Sequence, residues 1–131
     1  MSDLPHITQS EWNVMKQLWE KSPLTAAELV KNIQAEHALV ATTVKTLLRR
    51  LIAKEAVGFT IDEKNAKLYY YFPLVTEEEC VKKASRHFLK QYHQDDVKSL
   101  FSAFVDSTDL SNEEIDQLKD LLERKKAEAD E

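Results

Sequence analysis

The side chains best suited to binding an acidic partner are concentrated in residues 41–54. This segment contains no Asp or Glu, although the whole chain carries a formal net charge of -5. Its positive charges are Lys45, Arg49, Arg50 and Lys54. Guanidinium groups bind phosphate and form bidentate pairs with guanine, and the short hydroxyl side chain of threonine contacts base edges. The segment is therefore a candidate for contact with nucleic acid.

The apolar residues of the same segment fall on one face of a predicted helix. They are Val44, Leu47, Leu48, Leu51 and Ile52. Their spacing of three and four residues indicates that this face packs on a core. The opposite face would carry Thr42, Thr43, Thr46, Arg49 and Arg50. A solvated amphipathic helix shows the same pattern, so the elements around the segment must decide between the two interpretations.

Composition excludes several classes of protein. A chain of 131 residues with 43% hydrophobic residues suits one domain, or a small domain with an appended piece. The single glycine excludes glycine-rich nucleotide-binding loops, and the single cysteine, Cys80, excludes an internal disulfide. No apolar run approaches the roughly 20 residues that span a bilayer, and the N-terminus lacks a signal-peptide pattern. We expect a soluble, cytoplasmic protein without membrane insertion.

Charge is distributed unevenly along the chain. Residues 1–75 contain nine Lys or Arg and eight Asp or Glu, whereas residues 76–131 contain nine and fifteen. The net charges are therefore +1 and -6. A polyanion would repel the second part, so we expect any contact with nucleic acid to lie in the first part.

Four helix starts share one capping pattern, which is Ser or Thr followed three residues later by Glu. The hydroxyl accepts a hydrogen bond from the backbone of the Glu, whose carboxylate reaches back to the first residue. The pairs are Thr8 with Glu11, Thr25 with Glu28, Thr76 with Glu79, and Ser111 with Glu114. They predict helices over about 9–20, 26–36, 77–92 and 112–127.

The basic helix, predicted over about 42–54, begins without this pattern. Thr42 or Thr43 could cap it. Uncapped N–H groups at its start could instead bind a phosphate, and crowding by the preceding loop is the alternative explanation.

After the basic helix the apolar period changes from 3.6 to 2. Alternating apolar residues around 57–61 and 68–72 indicate a β-hairpin, which Pro73 ends. Three helices followed by a hairpin form the winged helix-turn-helix arrangement, whose third helix lies in the DNA major groove while the hairpin lies near the backbone. The hairpin tip offers Lys64, Asn65 and Lys67. We predict a mainly α fold with a small β-hairpin, in which residues 1–75 are the DNA-binding domain.

Residues 76–131 form a predicted helical dimerisation domain. Its first helix would bury Cys80, Val81, Ala84 and Phe88, with Tyr92 as a further candidate. The three short helices have too few apolar residues for a core of their own. We expect them to pack against a second copy, and folding back onto the winged domain is the alternative. The predicted interface residues are Phe88, Val97, Leu100, Phe101, Phe104, Val105, Ile115, Leu118, Leu121 and Leu122.

Four stretches resemble the penicillinase-repressor family of bacterial regulators, which includes the BlaI, MecI and CopY repressors. They are Ile7 to Trp19, Thr43 to Leu51, Tyr69 to Val75, and Asp109 to Leu122. The resemblance implies a homodimeric transcriptional repressor that reads a palindromic operator through its third helix and controls resistance or stress genes. By motif position it implies base-reading roles for Thr43, Thr46 and Arg50, with Thr42 beside them. The predicted DNA-backbone contacts are Lys45, Arg49, Lys54, Lys64, Asn65 and Lys67.

The chain departs from the family in three places. It lacks the C-terminal cysteine box of the copper-responsive members. The set Cys80, His87 and His93 is better explained as a buried thiol and surface histidines, so we expect no metal.

The second departure concerns release from DNA. In the β-lactamase branch, a sensor leads to a cut at an Asn-Phe bond, which aligns with Ala103 and Phe104 here. Proteolysis by an upstream sensor protease is therefore a candidate release mechanism, but the asparagine is absent.

The third departure is Glu55, where family members usually have glycine. We expect a non-glycine residue to resist a left-handed helix end, so that the basic helix ends differently.

Three functions remain open from the sequence. We find no nucleophile motif, metal-ligand spacing or paired carboxylates in an apolar setting, so we expect neither an enzyme nor a cofactor. The chain could be a repressor released by proteolysis, a repressor released by a small-molecule inducer, or a winged-helix module that binds protein. A winged-helix module that binds protein would not need Arg49 and Arg50 exposed beside threonines, whereas either kind of repressor would.

Overall fold

The computed structural model describes residues 4–92 and 96–130. The elements in chain order are α1 (Gln9–Glu20), α2 (Ala26–Glu36), α3 (Ala41–Ala53), β1 (Val57–Ile61), β2 (Tyr69–Pro73), α4 (Glu77–Tyr92), α5 (Val97–Ser107) and α6 (Asn112–Ala129). Six helices and one antiparallel hairpin confirm the predicted mainly α fold. The chain divides into two compact units, Met1–Arg86 and His87–Glu131.

The first unit has a core formed by one face of each of its first three helices and by the start of the hairpin. Apolar residues at helical spacing put these faces inward, where burial removes them from water. The buried members are Val14, Met15, Leu18, Leu24, Leu29, Ile33, Val44, Leu47, Leu48, Leu51, Ala56 and Val57. This core holds α3 by its apolar side.

All four predicted capping pairs are present. Thr8, Thr25 and Ser111 each accept a hydrogen bond from the backbone of the glutamate three residues later, and that glutamate bonds back. Thr76 and Glu79 make the same pair of bonds, at 3.1 and 3.2 Å. Each pair satisfies two N–H groups that a helix start would otherwise leave without partners.

Both ends of α3 differ from the prediction. The helix begins at Ala41 with Val40 as N-cap and no side-chain cap, so neither Thr42 nor Thr43 caps it. These threonines lie inside the first turn, where their side chains project outward.

The C-terminal end of α3 is left-handed despite the absence of glycine. Glu55 has a φ of 63°, its N–H donates to the Ile52 carbonyl, and the N–H of Ala56 donates to the Leu51 carbonyl. These two bonds define a Schellman motif. The expectation that Glu55 prevents such an end is wrong, because burial of Leu51 and Ala56 outweighs the local cost of the left-handed conformation.

The hairpin pairs β1 with β2 in antiparallel register, with Phe59 opposite Tyr71 and Ile61 opposite Tyr69. Leu24 adds an isolated bridge to Tyr71, which joins the connection between α1 and α2 to the sheet. We call residues 57–73 the wing. Because Val57 is buried and β1 becomes exposed from Phe59 onward, the base of the wing packs on the core and its tip projects into solvent.

The two compact units divide inside α4, between Arg86 and His87. Cys80 is buried as predicted, whereas Val81 is 46% exposed and Ala84 is also exposed. Phe88 and Tyr92 are 49% and 59% exposed. The prediction that α4 buries residues other than Cys80 is therefore wrong for the single chain. The assignment of residues 1–75 and 76–131 to DNA binding and dimerisation stays a prediction.

The second unit contains the end of α4 together with α5 and α6. Within the described residues of α5 and α6, none is buried. Asp96 caps α5 by accepting a hydrogen bond from the backbone N–H of Ser99. Across residues 4–92 and 96–130, no helix combines the length and apolar character needed to cross a membrane.

Candidate nucleic-acid interface

The outer face of α3 is the candidate interface. Val44, Leu47, Leu48 and Leu51 are at most 4% exposed, so the opposite side of the helix must face solvent. The exposed residues there are Thr42, Thr43, Lys45, Arg49 and Arg50, and Thr46 is half-buried. The amphipathic orientation predicted from the sequence is thus present.

The structure brings the four predicted base-reading residues together. They line one shallow depression on the surface of α3 with Leu47 at its floor, and they are Thr42, Thr43, Thr46 and Arg50. Spacings of three and four residues place these side chains along one ridge of a helix. Three short hydroxyls beside one long guanidinium leave room for a base edge to approach the helix closely.

One hydrogen bond fixes the chemistry that Thr46 can offer. Its hydroxyl donates to the carbonyl oxygen of Thr42, one turn earlier, at 2.9 Å. A hydroxyl has one hydrogen and two acceptor lone pairs. While this bond is intact, Thr46 faces the depression as a hydrogen-bond acceptor and not as a donor.

The start of α3 is electropositive. Val40 provides no side-chain cap, and the first turn of α3 contains no acidic residue. First-turn N–H groups and the helix dipole both favour an anion at such an end. Lys45 lies exposed one turn further along, so the local charge is positive as well.

Lys54 does not belong to this exposed cationic surface. Its ammonium lies 2.5 Å from Oε1 of Glu11 and donates to the carbonyl oxygen of His6 at 2.8 Å. The sequence predicted Lys54 as a DNA-backbone contact, together with Lys45 and Arg49. The structure instead turns its side chain toward α1, and we leave Lys54 out of the proposed interface.

The sequence did not predict that Glu11 pairs with Lys54. The Glu11 side chain is fully buried, although the sequence identifies it only as a capping residue. Burial raises the pKa of the Glu11 carboxyl, but hydrogen bonds from Lys54 and from the backbone of Thr8 outweigh burial and hold the pKa below its usual value. Glu11 is thus a buried carboxylate that carries charge.

The tip of the wing is shaped by its own side chains. Oδ2 of Asp62 accepts hydrogen bonds from the backbone N–H groups of Lys64 and Asn65, at 3.1 and 3.0 Å. Oδ1 of Asn65 accepts from the backbone N–H of Lys67 at 3.0 Å. The turn therefore leaves the exposed ammonium groups of Lys64 and Lys67, and the amide N–H groups of Asn65, as its available donors.

Aromatic rings cover one face of the wing behind its tip. The Phe59 ring lies 5.1 Å from that of Tyr69 and 6.2 Å from that of Tyr71, centroid to centroid. These distances are typical of favourable aromatic pairs. The sequence did not indicate this face, because the alternation expected in the second strand was Leu68, Tyr70 and Phe72, whereas the register sets Tyr71 opposite Phe59 and Tyr69 opposite Ile61. The rings pack together on the element that carries Lys64 and Lys67.

The predicted dimerisation residues are exposed in the single chain. Those that are at least 36% exposed are Phe88, Val97, Phe101, Phe104, Val105, Ile115, Leu121 and Leu122. Leu100 and Leu118 are half-buried. Ala103 and Phe104, the candidate cleavage position, lie inside α5, and cleavage there stays a prediction.

Within the described parts of the chain, no group of three or more metal-ligating residues comes together. His93, one of the three residues weighed for a metal, lies outside those parts. Burial raises the pKa of the Cys80 thiol, as does the neighbouring Glu79 carboxylate. A raised pKa keeps the thiol protonated, which agrees with the interpretation of Cys80 as a buried apolar residue.

This geometry can be compared with known proteins. The family model described as the penicillinase repressor matches residues 7–124. The methicillin resistance regulatory protein MecI of Mammaliicoccus sciuri is 33% identical over 119 residues, which make up 91% of this chain and 94% of MecI. The penicillinase repressor of Bacillus licheniformis is 29% identical over 126 residues, or 96% of each chain.

A solved structure resembles this chain in both fold and sequence. It is the monomeric form of Bacillus licheniformis BlaI in complex with the blaP half-operator, with a TM-score of 0.51 and 28% identity. The match covers 60% of this chain and 93% of that one. The family and the Bacillus licheniformis relative are named as penicillinase repressors, and MecI as a regulatory protein, which agrees with the expectation that the chain is not an enzyme. The match over residues 7–124 confirms the resemblance, and the chain belongs to the penicillinase repressor family.

Proposed function

We propose that this chain is a bacterial transcriptional repressor that binds operator DNA as a homodimer. The observation that carries the proposal is the exposed depression of Thr42, Thr43, Thr46 and Arg50 on a helix whose opposite face is buried in the core. Similarity to BlaI, which was solved with a half-operator, supports DNA as the partner. Each copy would place α3 in one major groove.

The depression suggests how bases are read. Arg50 is long enough to reach a guanine edge, where a guanidinium pairs bidentately with O6 and N7. Thr46 presents acceptor lone pairs because its hydrogen is donated to the Thr42 carbonyl. An acceptor at this place suits the amino group of adenine or cytosine, and the threonine methyl groups suit the methyl group of thymine.

Phosphate contacts would surround this reading surface. Lys45 and Arg49 lie exposed on α3, and Lys64, Asn65 and Lys67 lie at the tip of the wing. Cationic side chains on the DNA backbone release counterions, so binding weakens as salt increases. Experiment can therefore distinguish base-reading residues from backbone contacts. Mutation of a base-reading residue should change affinity differently for different base sequences, whereas mutation of a backbone contact should weaken binding to every duplex.

A second copy of the chain is the proposed partner of α5 and α6. Phe101, Phe104, Leu121 and Leu122 are each more than 40% exposed, although large apolar side chains gain free energy by burial. Proteins that bind with a helix in the major groove usually dimerise and read two half-sites one helical turn apart. A homodimer would bury these exposed residues and would bind a palindromic operator.

Selection from a random duplex library tests the function. The full chain at physiological salt should enrich an inverted repeat, and each half of the repeat should compete weakly. Failure to enrich any duplex would exclude the repressor function. If six to ten phosphates are contacted, DNA affinity should fall by about 10³ to 10⁵ between about 50 and 200 mM salt. A protein-interaction module would instead bind its partner with an affinity that is insensitive to salt.

The enriched sequence also identifies the regulated genes. MecI is named as a regulator of methicillin resistance and the Bacillus licheniformis relative as a penicillinase repressor, so resistance or stress genes are the proposed class of target. A DNA-binding role places the protein in the cytoplasm. Release through cleavage between Ala103 and Phe104 by a sensor protease, or through a small-molecule inducer, remains a prediction that the identified promoter would help to test.

A further inference from the structure

A buried ion pair joins the end of α3 to the start of α1. The Lys54 ammonium and the Glu11 carboxylate are 2.5 Å apart, with side chains that are 31% and 0% exposed. Lys54 also donates to the carbonyl oxygen of His6, and Glu11 Oε1 also accepts from the backbone N–H of Thr8. The pair thus connects three stretches of chain, which are the segment before α1, the first turn of α1 and the end of α3.

The two charges depend on each other. Glu11 Oε2 has no hydrogen-bond partner among the described residues. A buried carboxylate without a cation is strongly unfavourable, so Lys54 is the group that makes a charged Glu11 tolerable at this place. The ammonium in turn has two acceptors inside the domain, and its side chain turns away from the face that carries Arg49 and Arg50.

Lys54 is one turn away from the main proposed base reader. It is the C-cap of α3, and its backbone N–H donates to the carbonyl oxygen of Arg50 at 3.0 Å. Apolar packing of Leu48 and Leu51 holds the helix on the core, but such packing is not directional. An ion pair with a hydrogen bond sets both a distance and a direction, so it restricts rotation and sliding of this end of α3.

We propose that Lys54 is a positioning residue, which sets the end of α3 through Glu11 so that Arg50 meets its base, and that Lys54 does not contact DNA. This inference rests on the proposed function, because it concerns the same reading helix. It predicts that loss of the pair reduces the preference for operator over random DNA, whereas loss of a phosphate contact weakens binding to every duplex.

The test uses the full chain and variants that retain the fold. A Lys54→Met change alone leaves a buried charge without a partner and could unfold the protein, so the main variant combines Glu11→Gln with Lys54→Met. Replacing both members of a buried pair with groups of similar size avoids an unpaired charge. Lys54→Arg keeps the cation, and Lys45→Met removes a cation that the structure leaves exposed. Circular dichroism and thermal melts establish that each variant is folded.

Binding to the selected operator and to a random duplex is then measured over a series of salt concentrations. We expect the double variant to lose about tenfold in its preference for operator, as weakening of one bidentate contact implies, with an unchanged salt slope. Lys54→Arg should retain most of the preference. Lys45→Met should weaken both duplexes alike and lower the salt slope by about 0.9.

Two results would overturn the proposal. A salt slope that falls in the double variant and not in Lys54→Arg would mean that Lys54 contacts a phosphate. An unchanged operator preference in a folded double variant would mean that the pair serves stability alone. Both results are interpreted only if the unchanged chain prefers its operator. If the unchanged chain shows no such preference, the proposed function itself has failed, so the two kinds of failure can be distinguished.

Discussion

The indole N–H of Trp19 donates to the carbonyl oxygen of Val75 at 2.9 Å, although the two residues are 56 positions apart. Trp19 lies at the end of α1, and Val75 lies between the wing and α4. The hydrogen bond ties the segment that follows the wing to the helical core. Trp12 supports it from within α1, with its ring centroid 5.3 Å from that of Trp19 in an edge-to-face arrangement.

Trp19→Phe should lower the free energy of unfolding by about 1 to 2 kcal/mol, because it leaves the Val75 carbonyl without its donor. Urea denaturation followed by circular dichroism measures the change. Trp12→Phe is the matched control and should cost less, since it leaves the Trp19 bond in place. Equal losses in the two variants would show that ring packing, and not the hydrogen bond, provides the stability.

Arg50→Ala should weaken operator binding by about 1 to 3 kcal/mol and reduce sequence preference, because it removes the proposed guanine contact. Lys64→Ala, at the tip of the wing, should weaken operator and random duplexes equally. Fluorescence anisotropy with both duplexes measures the two effects. If Arg50→Ala weakens both duplexes to the same extent, Arg50 contacts the backbone and not a base.

Glu55→Gly should stabilise the protein by about 1 kcal/mol. Glu55 has a φ of 63°, which costs a residue with a Cβ about 1 to 2 kcal/mol, whereas glycine adopts it readily. Ala53→Gly, in the last position of α3, should destabilise by about 0.5 to 1 kcal/mol, since that residue is helical. Thermal or urea unfolding of both variants tests the prediction, and it fails if the two changes have the same sign.

Phe101→Asp should convert the proposed dimer into a monomer. Phe101 is 44% exposed on α5, and a carboxylate there could not be buried against a second copy without a large cost. Sedimentation velocity should show half the mass, and affinity for the full palindrome should fall by about 10² or more while half-site affinity is unchanged. A dimer that persists would place the interface elsewhere.

Stability should fall in acid through the capping glutamates. Hydrogen bonds from Thr25, Thr76 and Ser111 lower the pKa of Glu28, Glu79 and Glu114. A carboxyl group with a lowered folded-state pKa stabilises the fold above its unfolded value of about 4.3, and this contribution is lost as the pH falls through the folded pKa.

Urea midpoints should therefore decrease below about pH 4.5. Glu79→Gln should reduce that decrease, because a glutamine can cap but does not titrate. Urea titrations at neutral pH and at acid pH measure both effects. A midpoint in Glu79→Gln that depends on pH as steeply as in the unchanged chain would contradict the prediction.

Much of the fold could be predicted because the signals are local. The Ser or Thr and Glu pairs located four helix starts, and the change of period after residue 56 located the wing. The same periodicity assigned Val44, Leu47 and Leu48 to the core and the threonines to the outside, because helix geometry alone sets which residues share a face. The family resemblance added residue roles that periodicity does not contain.

Other features could not be predicted because they depend on contacts between residues that are far apart in the sequence. Lys54 and Arg50 lie one turn apart on a basic helix, and no local rule distinguishes a cation that stays exposed from one that pairs with Glu11. Glu55 adopts a left-handed conformation because the surrounding core favours this helix end, against its own preference. Val81 and Ala84 are exposed although Cys80 on the same helix is buried, because which part of a helix face is covered depends on residues far away in the sequence.

The sequence by itself determined the elements, the amphipathic orientation of α3 and the family, because caps, period and motif are properties of neighbouring residues. Only the tertiary structure decided which charged side chains are exposed to a binding partner and which are paired inside the domain. Glu11 and Lys54 are 43 residues apart, and they pair because packing of α1 against α3 brings them together in a buried place, where an unpaired charge would be too unfavourable to remain.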